Sequence, residues 1–252
     1  MTSTATESPA SDAPPAPTAP SAATVTQPLW DAPVRVLHGL MAASVAGAWL
    51  TAEAHGWRAV HISCGLTLAA AVAMRLVWGF IGTPPARFVN FVRGPRAVAA
   101  HLRALLAGRA GPHAGHNPAG GWAVLALLAG GLLAAGSGWL TWQGGEAWEE
   151  VHEALANGLL ILVGVHVAAV LVTSRLSRDR LVAAMLTGRK AVPAGTPPTR
   201  PMHRALAAAL LAATLGLWAW SLGPTSPWAT AQGAHGEHRH GPHHHGHDGD
   251  DD

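Results

Sequence analysis

Long apolar stretches alternate along the chain with short segments in which its charges are gathered. A helix needs roughly 20 mainly apolar residues to cross a bilayer. Five stretches reach that length, near 34–54, 58–81, 122–142, 151–173 and 203–222. Spans one and two, and spans three and four, form two similar hairpins joined by short turns. The fifth, MHRALAAALLAATLGLWAWSLG, is as apolar as the others but stands apart from them. Between spans two and three, GPRAVAAHLRALLAG (94–108) sets Arg and His against an Ala/Leu face, with Pro95 where a helix would begin; it is expected to lie along the membrane surface. No repeat of solenoid period is present. The pattern predicts an all-α integral membrane protein, a four-helix bundle followed by a fifth, C-terminal transmembrane helix.

Composition agrees. Only 12% of the 252 residues are charged and the mean hydropathy is +0.22, whereas a soluble domain carries charge on about a quarter of its residues. The first 29 residues are rich in Ala, Pro, Ser and Thr and contain no Lys or Arg. They lack the basic and apolar regions of a signal peptide and are expected to be a disordered cytoplasmic tail, with the first span acting as its own insertion signal. The single cysteine, Cys64, falls inside span two. It cannot form an intrachain disulfide and reads as a small buried hydrophobe.

Charge suggests an orientation, because Lys and Arg collect in cytoplasmic loops. Arg87, Arg93, Arg96, Arg103 and Arg109 lie between spans two and three, and Arg175, Arg178, Arg180, Arg189, Lys190 and Arg200 between spans four and five. The other two connections are short: one holds Arg58, the other Glu146, Glu149 and Glu150. The N-terminus is therefore expected inside and the segment after span five outside. Trp49, Trp57, Trp139, Trp142 and Trp148 then fall at the outer interface, and Trp78 and Trp122 at the inner one, where tryptophan is enriched. The basic pI reflects loop arginines beside anionic lipid rather than a nucleic-acid surface.

Ionisable side chains within spans are rare and usually face the bundle interior or a cofactor. Four histidines lie within or at the ends of the first four spans: His38, His61, His152 and His166. The two on span four are fourteen residues apart. At 3.6 residues per turn their rings point within about 40° of each other, separated by about 21 Å along the axis. One metal ion cannot bridge that distance, but two stacked sites can use it. Matching depths pairs His61 with His152 near the outer face and His38 with His166 near the inner one. Two neutral imidazoles on facing helices suit a haem in a bundle core. Metal ions held by His and nearby Glu are the other reading that spacing leaves open.

Several segments resemble the bacterial cytochrome b561 family, which includes the b-type membrane subunit of nickel–iron hydrogenases. They are WDAPVRVLHGLMA (30–42), HISCGL (61–66), RLVWGFIGTPPARFVNFVRGP (75–95), GHNPAGGW (115–122) and EEVHEALANGLLILVGVHV (149–167). They occur in the family's order over roughly residues 28–190, and the run from Arg75 to Pro95 together with GHNPAGGW is the most specific part. The resemblance implies two b-type haems ligated from spans one, two and four, at positions matching His38, His61, His152 and His166. It also implies electron transfer between the quinone pool and a redox partner, in a multi-pass protein of the bacterial inner membrane. Such iron has both axial positions filled and moves electrons without binding oxygen or substrate. The periplasmic partner would be a c-type cytochrome or another redox subunit.

Weaker candidates surround these. Arg75 is placed to neutralise a haem propionate or to snorkel to the inner surface. Glu149, Glu150 and Glu153 flank His152 as orienting groups, as a partner surface or as solvated carboxylates. Gly47, Gly65 and Gly158 are places where helices or haem approach closely. His101, His113, His116 and His203 read as non-ligands. The chain divides into a tail (1–29), a di-haem bundle (30–190), a linker and fifth span (191–224) and a His/Asp-rich periplasmic tail (225–252). That last tail carries His235, His238, His240, His243, His244, His245 and His247 with four aspartates, a composition able to hold nickel, copper or zinc dynamically. Two other functions stay open: a membrane metal-ion reductase fed by the tail, and a metal-binding or transport protein without haem in which the span histidines ligate ions.

Overall fold

The computed structural model describes residues 24–54, 56–109, 115–177, 179–197 and 203–228. Its elements run in chain order β1 (Thr24–Pro28), α1 (Ala32–Thr51), α2 (Arg58–Ile81), α3 (Phe88–Phe91), α4 (Pro95–Leu106), α5 (Pro118–Trp142), α6 (Ala147–Leu176), α7 (Leu181–Thr187), β2 (Arg189–Pro193) and α8 (Arg204–Ser221). Five of them, α1, α2, α5, α6 and α8, are long and apolar enough to cross a membrane. Phe80, Ile161 and Leu215 are among the large apolar side chains on the outside, which suits a surface that meets lipid. The expected all-α membrane bundle with a fifth helix is the observed one.

Two quoted motifs turn out to start helices. Asp31 caps α1, accepting from Val34 N at 2.8 Å, with a proline in the first turn. Asn117 of GHNPAGGW caps α5, accepting from Gly120 N at 2.7 Å, and Pro118 opens the helix. Both follow the preference for Asp or Asn at the cap and Pro just inside it.

The bundle is two hairpins, α1 with α2 and α5 with α6, joined where α2 packs on α5. Glycine permits that junction, since a Cβ on Gly131 of α5 would stand 3.3 Å from Val72 Cγ2; within the second hairpin, one on Gly130 would stand 3.3 Å from Leu159 Cδ1 of α6. Leu68, Val72, Leu128, Ala134 and Leu159 form the buried core there. On the outer hairpin, a Cβ on Gly47 would come within 2.7 Å of Cys64 Sγ, so this glycine serves the approach of α1 to α2. By contrast α1 and α6 do not pack along their lengths, which leaves the gap between the hairpins open on that side.

Helix α8 lies against α1 and α2. Ser221 Oγ and Ser63 Oγ share a hydrogen bond of 2.6 Å, and Trp218 Nε1 donates to Thr67 Oγ1 at 2.9 Å. Trp228 Nε1 closes this corner by donating to Ser221 O at 2.6 Å.

The long connections differ from expectation. Residues 24–28 belong to no unstructured tail: β1 pairs antiparallel with β2, Thr24 opposite Pro193 and Pro28 opposite Arg189. Leu29 N and Trp30 N both donate to Gly188 O, at 2.8 and 3.1 Å, where Gly188 ends α7 at φ 78°. Beside them Lys190 pairs with Asp179 at 3.0 Å, almost fully buried. The sheet joins segments far apart in sequence, so no local pattern announced it. The rest of the proposed N-terminal tail and residues 229–252 lie outside the described residues.

Candidate haem sites

At the end of the bundle carrying the short turns, His61 on α2 and His152 on α6 bring their rings to a centroid separation of 6.2 Å, with planes at 90°. Two imidazole nitrogens bound to one metal at about 2 Å each stand about 4 Å apart. Centroids set back behind those nitrogens fit the observed spacing. Each ring is oriented from behind. His61 Nδ1 donates to Ala48 O at 2.9 Å, and His152 Nδ1 donates to Ala134 O at 3.0 Å with Ser137 Oγ at 3.2 Å. A ligating histidine commonly uses its other nitrogen this way, which fixes the tautomer and leaves Nε2 for the metal. A Cβ on Gly138 would stand 2.9 Å from His152 Cε1, so α5 carries no side chain where that ring sits. Gly65, one turn along α2 from His61 and on the same face, has no protein atom within 4 Å of where its Cβ would be. Gly158 is likewise open.

At the opposite end of the bundle lie His38 on α1 and His166 on α6. The protein leaves His38 exposed. Among the described residues, no three His, Cys, Asp or Glu side chains converge in a way that would hold a bare metal ion. What the fold brings together is a pair of histidines, His61 and His152. A porphyrin brings its own four equatorial nitrogens and asks the protein only for axial ligands, so the donor set fits haem.

Arg75 does not snorkel. It is 4% exposed, donates through Nη2 to Ala86 O at 3.1 Å and lies 5.1 Å from the Phe88 ring centroid. Among the described residues its Nη1 is buried without a hydrogen-bond partner, as are Arg87 Nε and His116 Nδ1. Glu149, Glu150 and Glu153 are exposed on the first turns of α6, and His203 packs its ring 5.1 Å from Trp78. The tail histidines 235–247 and His113 lie outside the described residues.

Sequence reasoning passed over three features. His116 was read as a bystander, yet it stands between Trp30 and Phe91, at ring-centroid distances of 4.6 and 4.3 Å. Burial pushes its imidazole down to about 3, with Arg75, Lys190 and His166 acting in the same direction. It is a neutral ring beside the His38/His166 end. Its place two residues ahead of α5, inside the GHNPAGGW motif, was the available signal. Arg87 had no signal beyond its charge. The carbonyls of Ala48 and Ala134 could not have been found, since any residue supplies a carbonyl.

The family model of prokaryotic cytochrome b561 matches residues 29–188, from the residue before Trp30 to the end of α7, which contains all four span histidines. No curated protein and no solved structure matches the chain. With well over half its length matched and paired histidines inside a membrane bundle, the chain belongs to the prokaryotic cytochrome b561 family, whose members are haem b proteins of membrane electron transfer.

Proposed function

We propose that this protein carries electrons between quinone in the bilayer and a redox protein on the outer face, through two b haems. His61 and His152 hold one, His38 and His166 the other. The observation that carries this reading is the pairing of His61 with His152, from separate helices, at one end of a bundle whose other end carries His38 and His166. Haem b supplies a one-electron iron couple when bound. The chain's residues do the rest. The four imidazoles would hold the iron from the protein side, and iron held by two such ligands transfers electrons rather than activating a bound molecule. The carbonyls of Ala48 and Ala134 fix two of the rings, and the apolar core around Val72 and Leu159 keeps water from the space between the sites.

The distribution of Arg and Lys supports an inner position for the His38/His166 end and an outer one for the His61/His152 end. The N-terminus is then cytoplasmic and the C-terminus periplasmic. Exposed Glu149, Glu150 and Glu153 would steer a basic partner, such as a c-type cytochrome, toward the outer site. Arg75 meets a propionate at the inner one. The tail histidines hold nickel, copper or zinc outside this route. Removing 235–252 is expected to abolish retention on immobilised copper and leave the haem spectrum unchanged.

The decisive measurement is a reduced-minus-oxidised spectrum with a haem-to-protein ratio on protein purified in detergent, alongside His61→Ala and His166→Ala. About two haems per chain, one lost in each variant, is expected. A folded preparation without haem would overturn the reading and bring forward a metal-binding or transport function.

A further inference from the structure

Three buried nitrogens without partners among the described residues, Arg75 Nη1, Arg87 Nε and His116 Nδ1, belong to one neighbourhood. Arg75 holds the carbonyl of Ala86, the residue before Arg87, and lies over Phe88. Phe88 packs on Phe91 at 5.7 Å, and Phe91 on His116 at 4.3 Å. Arg75 is near enough to act electrostatically on His116, and so is the span histidine His166.

A buried guanidinium with open N–H positions is costly, and more so in a membrane protein. Asp31 attracts Arg75, but its oxygens are taken up by Val34 N, Trp78 Nε1 and Thr83 Oγ1. Lys190 is committed to Asp179 and Gly115 O. The cluster therefore has donors and positive charge in excess of its internal acceptors. Guanidinium groups match carboxylates in shape and charge, and a neutral imidazole adds an N–H without further charge.

We propose that Arg75, Arg87 and His116 form a carboxylate-binding site whose ligands are the propionates of the haem held by His38 and His166. The proposal rests on the two-haem reading and adds Arg87 and His116 to it. Two cations and one neutral donor meet two carboxylates, so the charges balance with the haem in place. Removing a cation leaves a propionate uncompensated, which favours ferric over ferrous iron and lowers the midpoint potential of that haem alone.

The test is a spectroelectrochemical titration of the full-length, haem-loaded protein in detergent, with His166→Ala marking which transition belongs to the inner haem. Arg87→Gln and His116→Leu are expected to move the inner transition to lower potential and leave the outer one in place, and Arg87→Lys to recover part of the shift. A second arm loads the wild type and Arg87→Gln with haem dimethyl ester, whose propionates cannot ionise. There Arg87→Gln should retain the inner haem as firmly as the wild type does, whereas with ordinary haem it loses that haem more readily. An unmoved inner transition with ordinary haem overturns the proposal. So does a retention difference that survives esterification, which would identify another anion, such as a lipid phosphate, as the ligand. The ester arm on the wild type, compared with ordinary haem, decides the matter even where Arg87→Gln fails to fold: equal inner potentials overturn the site. A wild type with no haem fails at the first step and overturns the two-haem reading itself.

Discussion

The rings of His61 and His152 stand at right angles, 6.2 Å apart, on two helices from different hairpins. Each is held from behind by a main-chain carbonyl, so neither ring is free to turn toward the other's plane. Axial imidazoles in perpendicular planes give ferric haem a highly anisotropic low-spin signal. Electron paramagnetic resonance of the oxidised protein is therefore expected to show such a signal, and His152→Ala to remove it. A spectrum with only the signal of parallel imidazoles would contradict the geometry.

Gly138 decides how close α5 comes to His152. A methyl group there would stand 2.9 Å from Cε1, and overpacking of that kind typically costs about 1 to 3 kcal/mol. Gly138→Ala should weaken or displace the haem at the His61/His152 end and spare the one at the far end. Haem content and the two spectral components, measured on the same sample, check this.

Asp31 serves three donors at once: the cap of α1, the Trp78 indole and the Thr83 hydroxyl. Losing the cap costs about 1 kcal/mol, and leaving the other donors unmet adds about 1 to 3 kcal/mol. Asp31→Ala is expected to lower thermal stability in detergent clearly, and Asp31→Asn, which retains an acceptor oxygen, less so.

Helix α8 rests on α1 and α2 through Ser221 and Trp218. Interhelical hydrogen bonds in a bilayer are worth about 0.6 kcal/mol each. Ser221→Ala and Trp218→Phe should thus cost little stability and leave haem content unchanged. Loss of haem in either would mean that α8 belongs to the haem-binding unit.

Much of the fold was legible in the chain because a bilayer imposes a simple rule: a spanning segment must satisfy its own backbone and be apolar for about 20 residues. The five spans, the helix opening at Pro95 and the family followed from that rule and from the motifs. The separation of His152 and His166 along one helix followed from helical rise. What the sequence could not decide was everything made by contacts between distant segments. The pairing of β1 with β2 depends on a partner more than 160 residues away. Arg75 was equally compatible with the surface and the interior, and only packing against Ala86 and Phe88 buries it. His116 looked like a loop residue until Trp30 and Phe91 closed around it. Periodicity and hydropathy report how each helix meets the membrane; which side chains meet one another is set by how the helices and their connections pack.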